Sequence, residues 1–153
     1  MDVFIDTNIF ISFLTKSEKS EEAKKLLENL ISKGYSLTTS ITVIEETLYI
    51  LTREILEEKG ITSVYSAKKY ISNGGYTDIE KELSKFISML NELDIRILDV
   101  KVEITLLVEV MYQFNLLPND ALIAATCKFY GIQDIATFDN DFKRVDFLKV
   151  WGL

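Results

Sequence analysis

Six acidic residues stand where one kind of segment gives way to another, and they are this chain's clearest claim to chemistry. Asp6 closes the apolar run Val3, Phe4, Ile5. Glu45 and Glu46 fall in the first turns of a helical stretch that follows a strand-like one. Asp120 opens a helix rich in small residues, just after "LLPN", and Asp139 and Asp141 follow the apolar "IATF". Carboxylates in a chain with no His are the donor set of a hard divalent cation such as Mg²⁺ or Mn²⁺, which takes oxygen ligands and keeps several waters. The missing histidine excludes Ser-His-Asp and Cys-His triads and histidine-based zinc sites. The lone Cys127 makes neither an internal disulfide nor a zinc cluster. Any general acid or base is therefore a carboxylate, Lys, Tyr, Cys or metal-bound water. Taken singly, each acid has an ordinary explanation as a cap, a turn residue or a solvated charge. The argument rests on their equivalent placement.

The elements that must position these acids follow from the pattern. Residues 1–6 read as a short buried strand, and 8–14 as the start of a helix beyond it. "SEKSEEAKKLLENLISKG" (17–34) is an amphipathic helix with Ser17 or Ser20 as its cap, acids in its first turn and Gly34 at its end. Its apolar stripe is Ala23, Leu26, Leu27, Leu30 and Ile31. Residues 35–40 suit a second strand and 42–60 a second long helix. "NGGY" (73–76) breaks a less regular region, 61–94, into two helical stretches. A strand at 95–100, helices at 102–115 and 120–131, a strand at 134–139 and a fifth at 148–151 complete the chain. Strands separated by helices predict an α/β fold: a three-layer α/β/α sandwich around a mostly parallel sheet of four or five strands. In such sheets ligands gather beyond the carboxyl ends of the strands, and Asp6 and Asp139 lie at two such ends.

Length and charge narrow the class further. With 153 residues, 48% of them hydrophobic, the chain suits a single domain over 1–153, with a helical insertion at roughly 61–94. No apolar run approaches the ~20 residues needed to cross a bilayer, and the N-terminus lacks the pattern of a secretory signal. A cytoplasmic protein with no membrane partner is expected. The net charge of −7 argues against nonspecific nucleic-acid binding by a basic surface. Such a chain can still act on nucleic acid if its carboxylates hold metal ions beside a local basic patch.

Four segments carry a family resemblance. "VFIDTNIFISFL", "SITVIEETLYIL", "PNDALIAATCKFYGI" and "DIATFDNDFKRV" resemble, in order, the four motifs of the PIN domain, and within it the VapC-like toxin ribonucleases; they span residues 3 to 145. By this resemblance Asp6, Asp120 and Asp139 are metal-site acids. The second acid is Glu45 or Glu46. In the family, apolar residues sit three and two before it and one, four and five after it. For Glu46 those positions are Val43, Ile44, Thr47, Ile50 and Leu51; for Glu45 the set would put Glu46 itself at a core position, so Glu46 is preferred. Thr7 and Asn8 are expected to orient Asp6, with Thr137 and Asp141 in similar supporting roles. The middle region, 55–94, is longer than in minimal VapC proteins and carries no family motif.

The resemblance implies a Mg²⁺- or Mn²⁺-dependent nuclease, an endoribonuclease cutting RNA, and the toxin of a VapBC-type toxin–antitoxin pair. Asp6 and Asp139 would hold the principal ion, with Glu46 and Asp120 completing the shell. A homodimer and a small antitoxin partner are implied as well. Lys143 and Arg144 are candidates for RNA phosphates, with Lys16, Lys19 and Arg53 further off; Tyr49, Tyr65 and Tyr70 are candidates for base stacking. The competing readings are a non-catalytic PIN-like interaction module and a nuclease of RNA processing. An acid phosphatase would show Asp-x-Asp where this chain has "DTN".

Overall fold

Val3, Phe4 and Ile5 have no exposed surface, which places the first strand in the middle of a sheet covered on both faces. The computed structural model describes residues 1–153. Its strands are β1 (Asp2–Ile5), β2 (Ser36–Ser40), β3 (Arg96–Leu98), β4 (Asp134–Ala136) and β5 (Lys149–Trp151). They form one sheet of order β3-β2-β1-β4-β5 in which every pair is parallel. The expected three-layer α/β fold is therefore observed, with five strands.

Helices α1 (Thr7–Leu14), α2 (Ser20–Ser32), α3 (Ile41–Glu58), α4 (Val64–Gly74) and α5 (Glu80–Glu92) precede β3; α6 (Ile104–Phe114) and α7 (Pro118–Tyr130) precede β4. Crossovers run in one direction from β1 to β2 to β3, and then in the other from β3 to β4. That reversal puts α1, α3 and α5, which contact one another, on one face, and the α6–α7 pair on the other. The reversal lies between β1 and β4, so the carboxyl ends of these two strands face the crevice where such sheets bind ligands.

Two buried threonines of β2 satisfy themselves on the neighbouring strand. Thr38 Oγ1 donates to Val3 O at 3.1 Å and Thr39 Oγ1 to Ile5 O at 2.9 Å. Edge strand β3 is short, with Arg96 paired to Asp2, a common means of blunting an open edge.

Several expected boundaries shift. Helix α2 begins at Ser20 with Lys19 at its cap position and no side-chain cap, so neither Ser17 nor Ser20 caps it; the Ser17 carbonyl takes the Ser20 N–H instead. Ile31 lies off the buried stripe and is exposed. Helix α7 begins at Pro118, which suits a first-turn position that needs no N–H donor, and Asp120 is its third residue. Strand β4 ends at Ala136, three residues short of Asp139, because Asp139 caps a 3₁₀ turn (Asn140–Arg144) with its own side chain.

The segment 61–94 divides into two unlike halves. In α5, Phe86 is fully buried and meets Phe10 edge-on with ring centroids 5.3 Å apart. In α4 only Ala67 is buried.

Candidate active site

The sheet register sets the first contact of the site. Ile5 pairs with Ala136, so the next residues, Asp6 and Thr137, emerge side by side. Thr137 Oγ1 donates to Asp6 Oδ2 at 2.6 Å. Asn8 Nδ2 reaches the same oxygen at 2.8 Å, and the Thr7 N–H donates to Asp6 Oδ1 at 2.7 Å as Asp6 caps α1. Asn8 also accepts the Phe138 N–H at 2.9 Å, and Thr137 accepts the Asp139 N–H at 3.0 Å. The "DTN" turn and the loop after β4 are thus stitched together through side chains on both strand ends.

Glu46 is held from two directions. Thr7 Oγ1 donates to its Oε2 at 2.6 Å and Asn119 Nδ2 to its Oε1 at 3.0 Å. Glu45, one residue earlier and about 100° round the helix, is exposed and lines an apolar groove with Ile41, Ile44, Leu48 and Tyr49. Asn119 was not singled out by sequence reasoning. Its place beside Asp120 in "PND" was the available signal, and it was read as part of a helix start.

Asp120, Asp139 and Asp141 form the tightest group. Each offers a carboxylate oxygen, and these oxygens lie within 4.8 Å of one another. The expected metal set is Asp6, Glu46, Asp120 and Asp139, with Asp141 in support. Asp141 stands beside Asp139 because Asp139 Oδ1 accepts the Asp141 N–H at 2.8 Å. Asp6 is 5% exposed and spends both carboxylate oxygens on protein donors.

The electrostatics are those of uncompensated negative charge. Burial pushes the Asp6 carboxyl up to about 6; bonds from Thr137 and Thr7 oppose this, and Asp120 and Glu46 add to it. Asp120 also rises to about 6, first through burial and then through Asp139, Asp141 and Glu46, with Arg144 opposing. The donors are hard oxygens, with no imidazole or thiolate among them, and their mutual repulsion is what a bound dication would relieve. The donor set therefore fits a hard divalent cation.

The basic and aromatic candidates fare differently. Lys143 is exposed beside the cluster turn. Arg144 is engaged: Nη1 donates to Asp141 Oδ1 at 2.8 Å, Nε to Phe114 O at 3.0 Å and Nη2 to Asn115 O at 3.0 Å. Arg53 is tied to the Thr62 carbonyl at 2.6 Å and to Glu57. Lys19 lies over the Phe138 ring at 4.4 Å. Tyr49 lines the apolar groove on α3, while Tyr65 and Tyr70 line a separate recess on α4 where Tyr70 bonds Asp78.

A family model described as the PIN domain matches residues 3–148. Among curated proteins, the chain is similar to Ribonuclease VapC6 of Methanocaldococcus jannaschii, with 40% identity over 152 residues, covering 97% of this chain and 95% of that protein. Ribonuclease VapC2 of the same organism is 38% identical over 149 residues, covering 97% and 91% respectively. Among solved structures, VapBC2 from Rickettsia felis, bound to a DNA fragment from its promoter, matches with a TM-score of 0.66 at 22% identity. That match covers 99% of this chain and 98% of the other.

Proposed function

We propose that this chain, which belongs to the PIN domain family, is a divalent-metal-dependent endoribonuclease and the toxin of a VapBC-type pair. The observation that carries the reading is the trio of carboxylates from α7 and the loop after β4, with oxygens within 4.8 Å in a site built from hard donors alone. The ribonuclease names of two relatives near 40% identity support RNA as the substrate. The likeness to solved structures bears on the fold.

In this reading Asp120, Asp139 and Asp141 hold a Mg²⁺ or Mn²⁺ ion, with Asp6 and Glu46 completing the acidic wall. When bound, such an ion supplies an activated water and charge relief at the phosphate. The chain's own residues do the positioning. Thr137 and Asn8 fix the Asp6 carboxylate, while Thr7 and Asn119 fix Glu46. Glu46, held by Thr7 and Asn119 beside the trio, would help position an attacking water. Lys143 is placed to meet the RNA backbone.

The same reading takes residues 1–153 as one domain in which the added segment is chiefly α4, since α5 is built into the core. It also takes the molecule as a homodimer. Ile104, Val108 and Met111 run along one face of α6 at helical spacing, with Tyr112 beside them; Ile104 and Tyr112 are 79% and 77% exposed.

Asp120→Asn is the most direct test. The Asp120 carboxylate accepts no hydrogen bond from the protein, so the change removes charge without orphaning a partner. Cleavage of a labelled single-stranded RNA in Mn²⁺ should fall by at least about a hundredfold, while the metal-free unfolding midpoint should hold or rise as repulsion is relieved. Wild-type rates from Asp120→Asn would end the proposal, as would wild-type protein that neither binds Mn²⁺ in a calorimeter nor cuts RNA in its presence.

A further inference from the structure

Two loops carry the clustered carboxylates, and one side chain joins them. The first loop leaves α6 through Asn115, whose φ of 52° turns the chain left-handed, and leads through Pro118 to Asp120. The second is the 3₁₀ turn with Asp139 at its start, Asp141 inside it and Arg144 at its end. The Arg144 guanidinium donates Nε to Phe114 O at 3.0 Å and Nη2 to Asn115 O at 3.0 Å, both at the carboxyl end of α6. Its third arm, Nη1, holds Asp141 Oδ1 at 2.8 Å. No other hydrogen bond runs between residues 114–120 and 137–145.

Each contact has a physical reason. The last carbonyls of a helix lack intrahelical partners and carry the negative end of its dipole, so a cation is favoured there. A planar guanidinium presents donors in several fixed directions at once, and here it meets three acceptors on two loops; an ammonium is a point charge and cannot span them. The guanidinium also opposes the rise of the Asp120 carboxyl, which places its charge within reach of the cluster. Three of the five guanidinium N–H donors are thus committed to acceptors of the protein itself, while the side chain keeps 43% of its surface exposed.

We propose that Arg144 is a positioning residue. It sets the spacing of Asp120 against Asp139 and Asp141, and through them the affinity for the divalent ion, in place of the RNA-phosphate contact its sequence position suggests. The inference rests on the reading of that trio as a metal site, and the test separates the two.

Arg144→Lys keeps the charge and loses the fork. Calorimetric titration with Mn²⁺ should show affinity weakened by about tenfold, the effect typical of losing a group that orients a metal ligand. The Mn²⁺ needed for half-maximal kcat should rise in the same proportion, the KM for RNA should stay within about twofold, and excess Mn²⁺ should restore kcat. Thermal unfolding in EDTA checks that the variant is folded, and recovery in excess Mn²⁺ is something a merely structural defect would not show. The proposal is overturned if Arg144→Lys binds Mn²⁺ as tightly as wild type. It is equally overturned if Arg144→Ala acts through a higher KM and a salt dependence shallower by about one unit of slope, the signature of a lost phosphate contact. Wild-type protein that binds no Mn²⁺ would defeat the metal-site reading itself, a result visible before any variant is made.

Discussion

At the scale of single residues, the site is defined by carboxylates whose charge the fold leaves unbalanced. Asp6 and Asp120 both ionise near 6, against an ordinary value of 3.8, with burial the first cause for each. Between about pH 4 and pH 6 the metal-free folded chain therefore binds more protons than the unfolded chain. Stability contributed by these groups is present at the acid end of that window and lost as pH rises through it. For buried Asp6 the shift corresponds to about 3 kcal/mol at most; Asp120, partly exposed, contributes less. Urea unfolding in EDTA should thus show a stability loss from pH 5 to pH 7 that is smaller in Asp120→Asn. Saturating Mn²⁺ should oppose the trend, since bound carboxylates must be deprotonated. Identical pH profiles for wild type and Asp120→Asn would mean that the residue does not carry the buried charge assigned to it.

Helices α4 and α5 behave differently although one irregular stretch of sequence encodes both. Phe86 of α5 is enclosed by the core and meets Phe10 of α1 edge-on, α1 being the helix that Asp6 caps. Removing the ring should leave a cavity beneath the turn that carries Asp6 and cost about 3–5 kcal/mol. Tyr65 of α4 is 77% exposed, and Tyr65→Ala should change stability by no more than about 0.5 kcal/mol. Chemical denaturation of Phe86→Ala and Tyr65→Ala measures both. A severe loss from Tyr65→Ala would place α4 in the core and undo the division drawn between the two helices. An apolar groove of about 580 Å³ lies between α3 and α5, lined by Ile44, Leu48, Tyr76 and Leu83.

The molecule as a whole combines a net charge of −7 with a proposed polyanionic substrate. A dication in the carboxylate cluster would resolve that conflict locally, because it turns the most repulsive part of the surface into the most attractive one. The remaining anomaly at this scale is α6, where Ile104 and Tyr112 are open to water although α7 covers the helix's other side. A second copy of the chain would bury them. Ile104→Glu and Tyr112→Glu should each shift the molar mass measured by light scattering from dimer towards monomer without lowering the unfolding midpoint of the monomer. A wild-type monomer at all accessible concentrations would rule out this use of the face.

Much of the architecture is written in local pattern. Apolar runs at Val3–Ile5 and Ile135–Ala136, and the helical periods between them, are sufficient for a parallel α/β sheet with Asp6 near its ligand-binding end, because strand and helix periods are properties of adjacent residues. The choice of Glu46 over Glu45 follows from the same logic: one step along a helix rotates a side chain by about 100°, and only Glu46 turns towards Thr7 and Asn119. What local pattern does not encode is which carboxylate oxygens meet. Asp141 joins Asp120 through a 3₁₀ turn that a capping Asp139 decides, and Arg144 turns inward because helix α6 happens to end beside it. The capping bond is local but has no period to read, and the Arg144 bonds join segments about thirty residues apart that meet only once the sheet has set the loops side by side.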